Sequence, residues 1–260
     1  ADDVQTDEHQ ALLDNHRLRL RAASVGSRAA AIDEGLRAYM NKVYGMMSLG
    51  ILITALAAWS ISGLAFSPEG QLTQLGQAIY VSPLKWVIMF APLVVVFAFG
   101  ATLNRLSVGA ATTVFYFFSA LMGLSISWIF IAYTGVSIVQ TFLATSIAFA
   151  SLSLYGYTTK RDLSGFGTFL MMGVVGLIVA MLINLFLKSD AMTFVISILG
   201  VLIFAGLTAF DTQRIKNTYL QLAQAGDDSL AKSAVMGALQ LYLDFLNLFM
   251  FLLQFLGNRE

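Results

Sequence analysis

Seven apolar runs, most of them about twenty residues long, dominate this sequence, with turn-like breaks between them. A run of that length, at 1.5 Å per residue in a helix, is long enough to cross the hydrocarbon core of a bilayer. A soluble all-helical core would need polar faces recurring at helical spacing, and most of these runs have none. Composition agrees: 58% of residues are hydrophobic and 12% charged, where a soluble domain carries about 25% charged. The chain reads as an all-α polytopic membrane protein.

The spans are expected at 41–65, 84–103, 108–132, 136–157, 165–187, 191–211 and 232–256. Residues 1–34 read as a polar tail, poorly ordered or loosely helical, and 35–260 as one transmembrane domain. The segment SPEGQLTQLGQAIYVSP reads as a loop after the first span, and TQRIKNTYLQLAQAGDDS as polar chain after the sixth. Pro92 removes a backbone donor inside the second span and should bend it. Ser119, Gly123 and Ser127 recur every four residues in the third span, and Ala144 and Ala148 in the fourth. Small residues on one face let helices approach closely.

Several chemistries are excluded early. There are no cysteines, hence no disulfide, thiolate metal site or cysteine nucleophile. His9 and His16 lie in the tail, so no histidine is available inside the membrane. Net charge is zero, which gives no electrostatic support for nucleic acid. Residues 1–38 contain no apolar stretch of the kind a signal peptide needs.

Lys and Arg in the flanks set orientation. An inside N-terminus puts Arg17, Arg19, Arg21, Arg28, Arg37, Lys42, Arg105, Lys160, Arg161, Arg214, Lys216 and Lys232 on the cytosolic side. It leaves Lys85, Lys188 and Arg259 outside. Seven spans then carry the C-terminus outside. Tyr80, Trp86, Tyr133 and Tyr219 fall near the expected span ends, as interfacial anchors would.

Of fifteen acidic residues, only Asp211 and Asp244 lie within or at the edge of apolar runs. An aspartate at a helix centre costs roughly 2.5–3.5 kcal/mol on insertion scales, so such a group is expected to face a partner or a water-filled cavity. Asp211 is expected near the cytosolic end of span six and Asp244 near mid-membrane in span seven. Arg214, three residues beyond Asp211, and Arg105, at the end of span two, are candidate counter-ions. Gln240, Asp244 and Asn247 form one polar stripe on span seven, which makes Gln240 and Asn247 candidate pore-lining residues. Two carboxylates in a low-dielectric site share protons and titrate as a pair, which makes them a candidate pH sensor. When ionised they also offer oxygen ligands to a hard cation. Calcium ordinarily takes six to eight oxygens, so coordination by Asp211 and Asp244 alone is weak and transient, which suits conduction better than storage.

The pair GLTAFDTQRIKNTY and ALQLYLDFLNLFMFLLQFLG closely resembles the C-terminal motifs of the Bax inhibitor-1, or transmembrane Bax-inhibitor-motif, family. The entry AIDEGLRAYMNKVYGMMSLGILITAL resembles its bacterial members. The resemblance spans about 35–257. It implies a seven-helix fold with the seventh helix central, a bacterial inner-membrane location and a pH-sensitive calcium leak. It places Asp211 and Asp244 on the family's paired aspartates, and Arg105 on the arginine that pairs with them in a closed state. The segment LAQAGDDSLAKSA looks longer than in compact members.

The expected partners are the bilayer, calcium ions and protons, with other membrane proteins as further partners and no cofactor. Three other functions compete: a non-conducting regulator binding membrane proteins, a proton-coupled calcium exchanger, and an intramembrane aspartyl protease. The protease would need a Gly-x-Gly-Asp motif, and Asp244 sits in LYLD instead. The chain therefore does not read as an enzyme. Span seven also lacks the lysine that a retinal Schiff base would need.

Overall fold

The computed structural model describes residues 2–223 and 226–258, the side chains of residues 2–29 and 104 excepted. His9, His16, Arg17, Arg19, Arg21, Arg28 and Arg259, on which part of the sequence reading rests, lie outside the described side chains.

Among the described residues there are seven helices long and apolar enough to cross a membrane. They are α1 (Asp2–Ala65), α2 (Leu84–Thr102), α3 (Val108–Ile126), α4 (Gly135–Thr158), α5 (Ser164–Leu187), α6 (Asp190–Leu222) and α7 (Asp227–Leu256). A short helical turn, Ile129–Ala132, prolongs α3. The expected loop after the first span holds a turn at Gln74–Gly76, capped by Thr73, that runs into a wider helical turn at Gln77–Val81.

α7 is the centre of the bundle. In its most apolar stretch 67% of residues are buried, against 11–33% in the other six spans. It packs on α1, α3, α4 and α6, most extensively on α6. α2 leans on α3, and α5 leans on α6. The extremes of burial and apolarity are opposed, as they should be where the solvent is lipid. α5 has the most apolar stretch and is among the least buried. Its Phe169, Met172 and Phe186 are exposed where acyl chains would cover them. The helix that carries Asp244, Gln240 and Asn247 is inside, where those groups can find partners.

The small-residue face of α3 works as its spacing suggests. Ser119, Gly123 and Ser127 are all buried. A Cβ on Gly123 would lie 2.5 Å from the Thr54 carbonyl oxygen of α1, closer than a side-chain carbon can sit. On α4 the expectation is corrected. Ala144 and Ala148 are not on its buried face, which is instead Thr141, Thr145, Phe149, Ser153 and Gly156. The hydroxyl of Thr145 turns back to the Thr141 carbonyl at 2.7 Å, so a threonine packs there without a stranded donor. Gly156 permits the α4–α6 crossing: a Cβ there would stand 2.1 Å from the Ala209 carbonyl oxygen.

Two further expectations change. Tyr133 and Tyr219 are buried core residues rather than interfacial anchors, and Tyr219 lies against Tyr39 with ring centroids 5.2 Å apart. The sixth span does not stop at Asp211. α6 continues through TQRIKNTYLQL to Leu222 because Thr212, Ile215 and Tyr219 recur at helical spacing and are buried against the bundle. That spacing overrides the polarity of the segment.

Candidate functional site

The extension of α6 moves Asp211 from a helix edge to a helix interior. It lies eleven residues before the last residue of α6 and is 8% exposed. Asp244 lies on α7, seventeen residues past its first, and is 4% exposed. The two helices run in opposite directions through a short connection. Their carboxyls come within hydrogen-bonding reach of each other. An ionised carboxylate only accepts hydrogen bonds, so a bond between two of them requires a proton on one. Asp244 Oδ2 is buried with no hydrogen-bond partner.

Arg214, one turn beyond Asp211 on α6, places a guanidinium nitrogen 4.0 Å from Asp211 Oδ1. The arginine side chain is 58% exposed and the carboxyl 12%. Arg105 is elsewhere. It ends the short helical turn Leu103–Arg105 after α2, is exposed, and forms no ion pair among the described residues.

Gln240 lies one turn before Asp244 on α7. It lines a cavity of about 500 Å³ together with Arg214, Lys232, Ser233 and Tyr39. This cavity opens at the end of the bundle where α6 joins α7, and Lys232 is held there by Asp228 at 3.2 Å. Asn247 shares the half-buried stripe of α7 with Gln240, but its amide donates to the Leu243 carbonyl of its own helix at 2.8 Å. On the buried face Tyr242 pins α7 to α1. Thr54 Oγ1 donates to the Gly50 and Ser119 carbonyls at 3.0 and 2.8 Å. With its proton committed there, it accepts from the Tyr242 hydroxyl at 2.6 Å.

Residues flanking Asp211 that the sequence reading passed over also do structural work. The Thr212 hydroxyl donates to the Thr208 carbonyl at 2.8 Å and must therefore accept from Ser153 Oγ, also at 2.8 Å. Ser153 in turn accepts from the Tyr44 hydroxyl. A directed chain of three hydroxyls thus joins α1, α4 and α6 beside the carboxyl pair. Gln213 pins the connection between α4 and α5: its Nε2 donates to the Arg161 carbonyl at 2.7 Å and its Oε1 accepts the Leu163 N–H at 2.9 Å. The signal was the run DTQR itself, four polar residues continuing an apolar helix.

No cluster of three or more His, Cys, Asp or Glu that could hold a metal occurs among the described residues. Two carboxyls this close can share a proton.

Residues 36–260 match the family model described as inhibitor of apoptosis-promoting Bax1. The inner membrane protein YbhL of Escherichia coli K12 is 44% identical over 226 residues, covering 87% of this chain and 94% of YbhL. A protein of Caulobacter vibrioides is 45% identical over 233 residues, covering 88% of this chain and 92% of its own length. A protein of Rickettsia prowazekii is 43% identical over 235 residues, covering 90% and 95%.

Proposed function

Since the chain belongs to the Bax inhibitor-1 family of membrane proteins, we propose that it is a pH-sensitive calcium leak channel of a bacterial inner membrane, gated by Asp211 and Asp244. One observation carries the reading. Two carboxyls from antiparallel helices meet inside the bundle, and one of their oxygens is buried without a partner. Asp244 Oδ2 faces no donor among the described residues, so its partner is a proton shared with Asp211 or a cation.

The conformation described is a closed one on this reading. The carboxyls are shielded from the connecting cavity, and Arg214 holds Asp211 from the cavity side. A cation entering from that cavity meets the Arg214 guanidinium first and then the pair. Changes in protonation of the pair alter its charge and its contact, and so alter the α6–α7 packing that seals the path. Gln240 lines the approach; Asn247 would join it once its amide leaves the Leu243 carbonyl. Arg105 would act only in a rearranged state, and in this one the counter-ion role falls to Arg214.

A second reading is a non-conducting regulator of other membrane proteins, favoured by the description of the family model. Calcium flux through the purified protein in liposomes separates the two. Proton flux opposite to calcium would instead identify an exchanger.

A further inference from the structure

The wall of the bundle has a gap between α1 and α4. A groove of about 550 Å³ runs there. Met40, Met47, Phe149 and Ser153 are buried along its floor, while Ala150 and Leu154 stand exposed at its edge. Both helices are membrane spans, so most of the groove opens onto hydrocarbon, where no water is available to fill it. An apolar groove at that depth is filled by an acyl chain.

One end of the groove is different. Arg37 and Asn41, both exposed, line it at the same end of the bundle as the α6–α7 connection. Arg37 forms no ion pair among the described residues. Tyr157 lines the same end, and Lys216 of α6 is fixed beside it. Its ammonium donates to the Tyr157 carbonyl at 2.7 Å and lies 5.6 Å from the centre of the Tyr157 ring. One unpaired cation, Arg37, therefore caps a hydrocarbon-facing groove together with an amide and an aromatic ring, and Lys216 is bound to the Tyr157 that lines it. That pattern is complementary to one kind of molecule, an anionic headgroup with an acyl chain attached.

We infer that the α1–α4 groove is a binding site for an anionic phospholipid, its headgroup on Arg37 and Asn41 and one chain along Met47, Phe149 and Leu154. The site does not depend on ion conduction. It does touch the carboxyl region, because the floor residue Ser153 belongs to the hydroxyl chain from Tyr44 to Thr212, next to Asp211.

The test is native mass spectrometry of the full-length protein with phosphatidylglycerol or phosphatidylcholine of identical acyl chains. One phosphatidylglycerol should be retained in roughly fivefold preference to phosphatidylcholine, from one cation near an anionic headgroup. Arg37→Gln should bring retention of the two lipids close to equal. Ala150→Trp, which fills the groove from its exposed edge, should abolish retention of either lipid. Both positions are exposed, so unchanged helical circular dichroism is expected of both variants. Equal retention of the two lipids by the wild-type protein would overturn the assignment. So would a phosphatidylglycerol preference that survives both substitutions.

Discussion

Asp211 and Arg214, one helical turn apart on α6, form an ion pair at 4.0 Å between a buried carboxyl and an exposed guanidinium. The arginine thus stands between the carboxyl pair and the cavity that opens beside it. If ions pass this way, Arg214 is the electrostatic barrier. Arg214→Gln should raise calcium flux into liposomes several-fold, while Arg105→Gln, at an exposed position away from the pair, should leave it within about twofold. Equal effects of the two substitutions would contradict the assignment of Arg214.

The pH profile should carry the mark of a pair. Two interacting carboxyls release protons in two macroscopic steps that belong to neither residue alone. Wild-type flux plotted against pH should need two steps, and Asp211→Asn or Asp244→Asn should each leave one. A single step in the wild type, unchanged in the variants, would place the sensor elsewhere.

The crossing of α4 on α6 depends on Gly156. Gly156→Ala would force a Cβ to 2.1 Å from the Ala209 carbonyl oxygen, a clash with backbone that cannot swing aside. The expected loss is about 1–3 kcal/mol in detergent unfolding. Gly45 is the control. It lies in α1, where an added Cβ would meet nothing within 4 Å, and Gly45→Ala should stabilise by about 0.5–1 kcal/mol.

The Tyr242–Thr54 bond should behave asymmetrically. Tyr242→Phe removes a donor and leaves Thr54 still donating to backbone, at a cost of about 0.5–1.5 kcal/mol. Thr54→Val takes the near acceptor from a fully buried phenol and leaves it only the Ser119 hydroxyl, at about 1–3 kcal/mol. The double variant should lose less than the sum of the two. An additive result would show that the hydroxyls are not bonded.

Outside the spans, Asp162 accepts from Ser164 Oγ at 2.6 Å and from its N–H at 2.9 Å. These bonds, the side-chain one foremost, hold its carboxyl below its ordinary value near 3.8. The folded value is the lower one, so its contribution to stability is present above pH 3.8 and is lost as pH falls through the folded value. An NMR titration of Asp162 should show a depressed midpoint, moving back toward 3.8 in Ser164→Ala.

The seven spans were legible because lipid demands long apolar runs, and the ends fall within about five residues except at the start of α1, which begins well before residue 41, and at the end of α6. At the end of α6 packing rather than hydropathy decides. Asp211, Ile215 and Tyr219 recur every four residues and carry the helix eleven residues further than polarity suggested. The carboxyl pair was legible because aspartates in apolar runs are costly. The hydroxyl chain from Tyr44 through Ser153 to Thr212 was not. It arises where three helices cross, and no spacing within one helix encodes that.

The most direct test of the central claim is calcium flux into liposomes containing the purified protein, scanned over pH, with Asp211→Asn and Asp244→Asn alongside. A gate built on the carboxyl pair predicts protein-dependent flux whose pH profile changes in both variants. No flux above empty liposomes at any pH, or a profile untouched by either substitution, would contradict it.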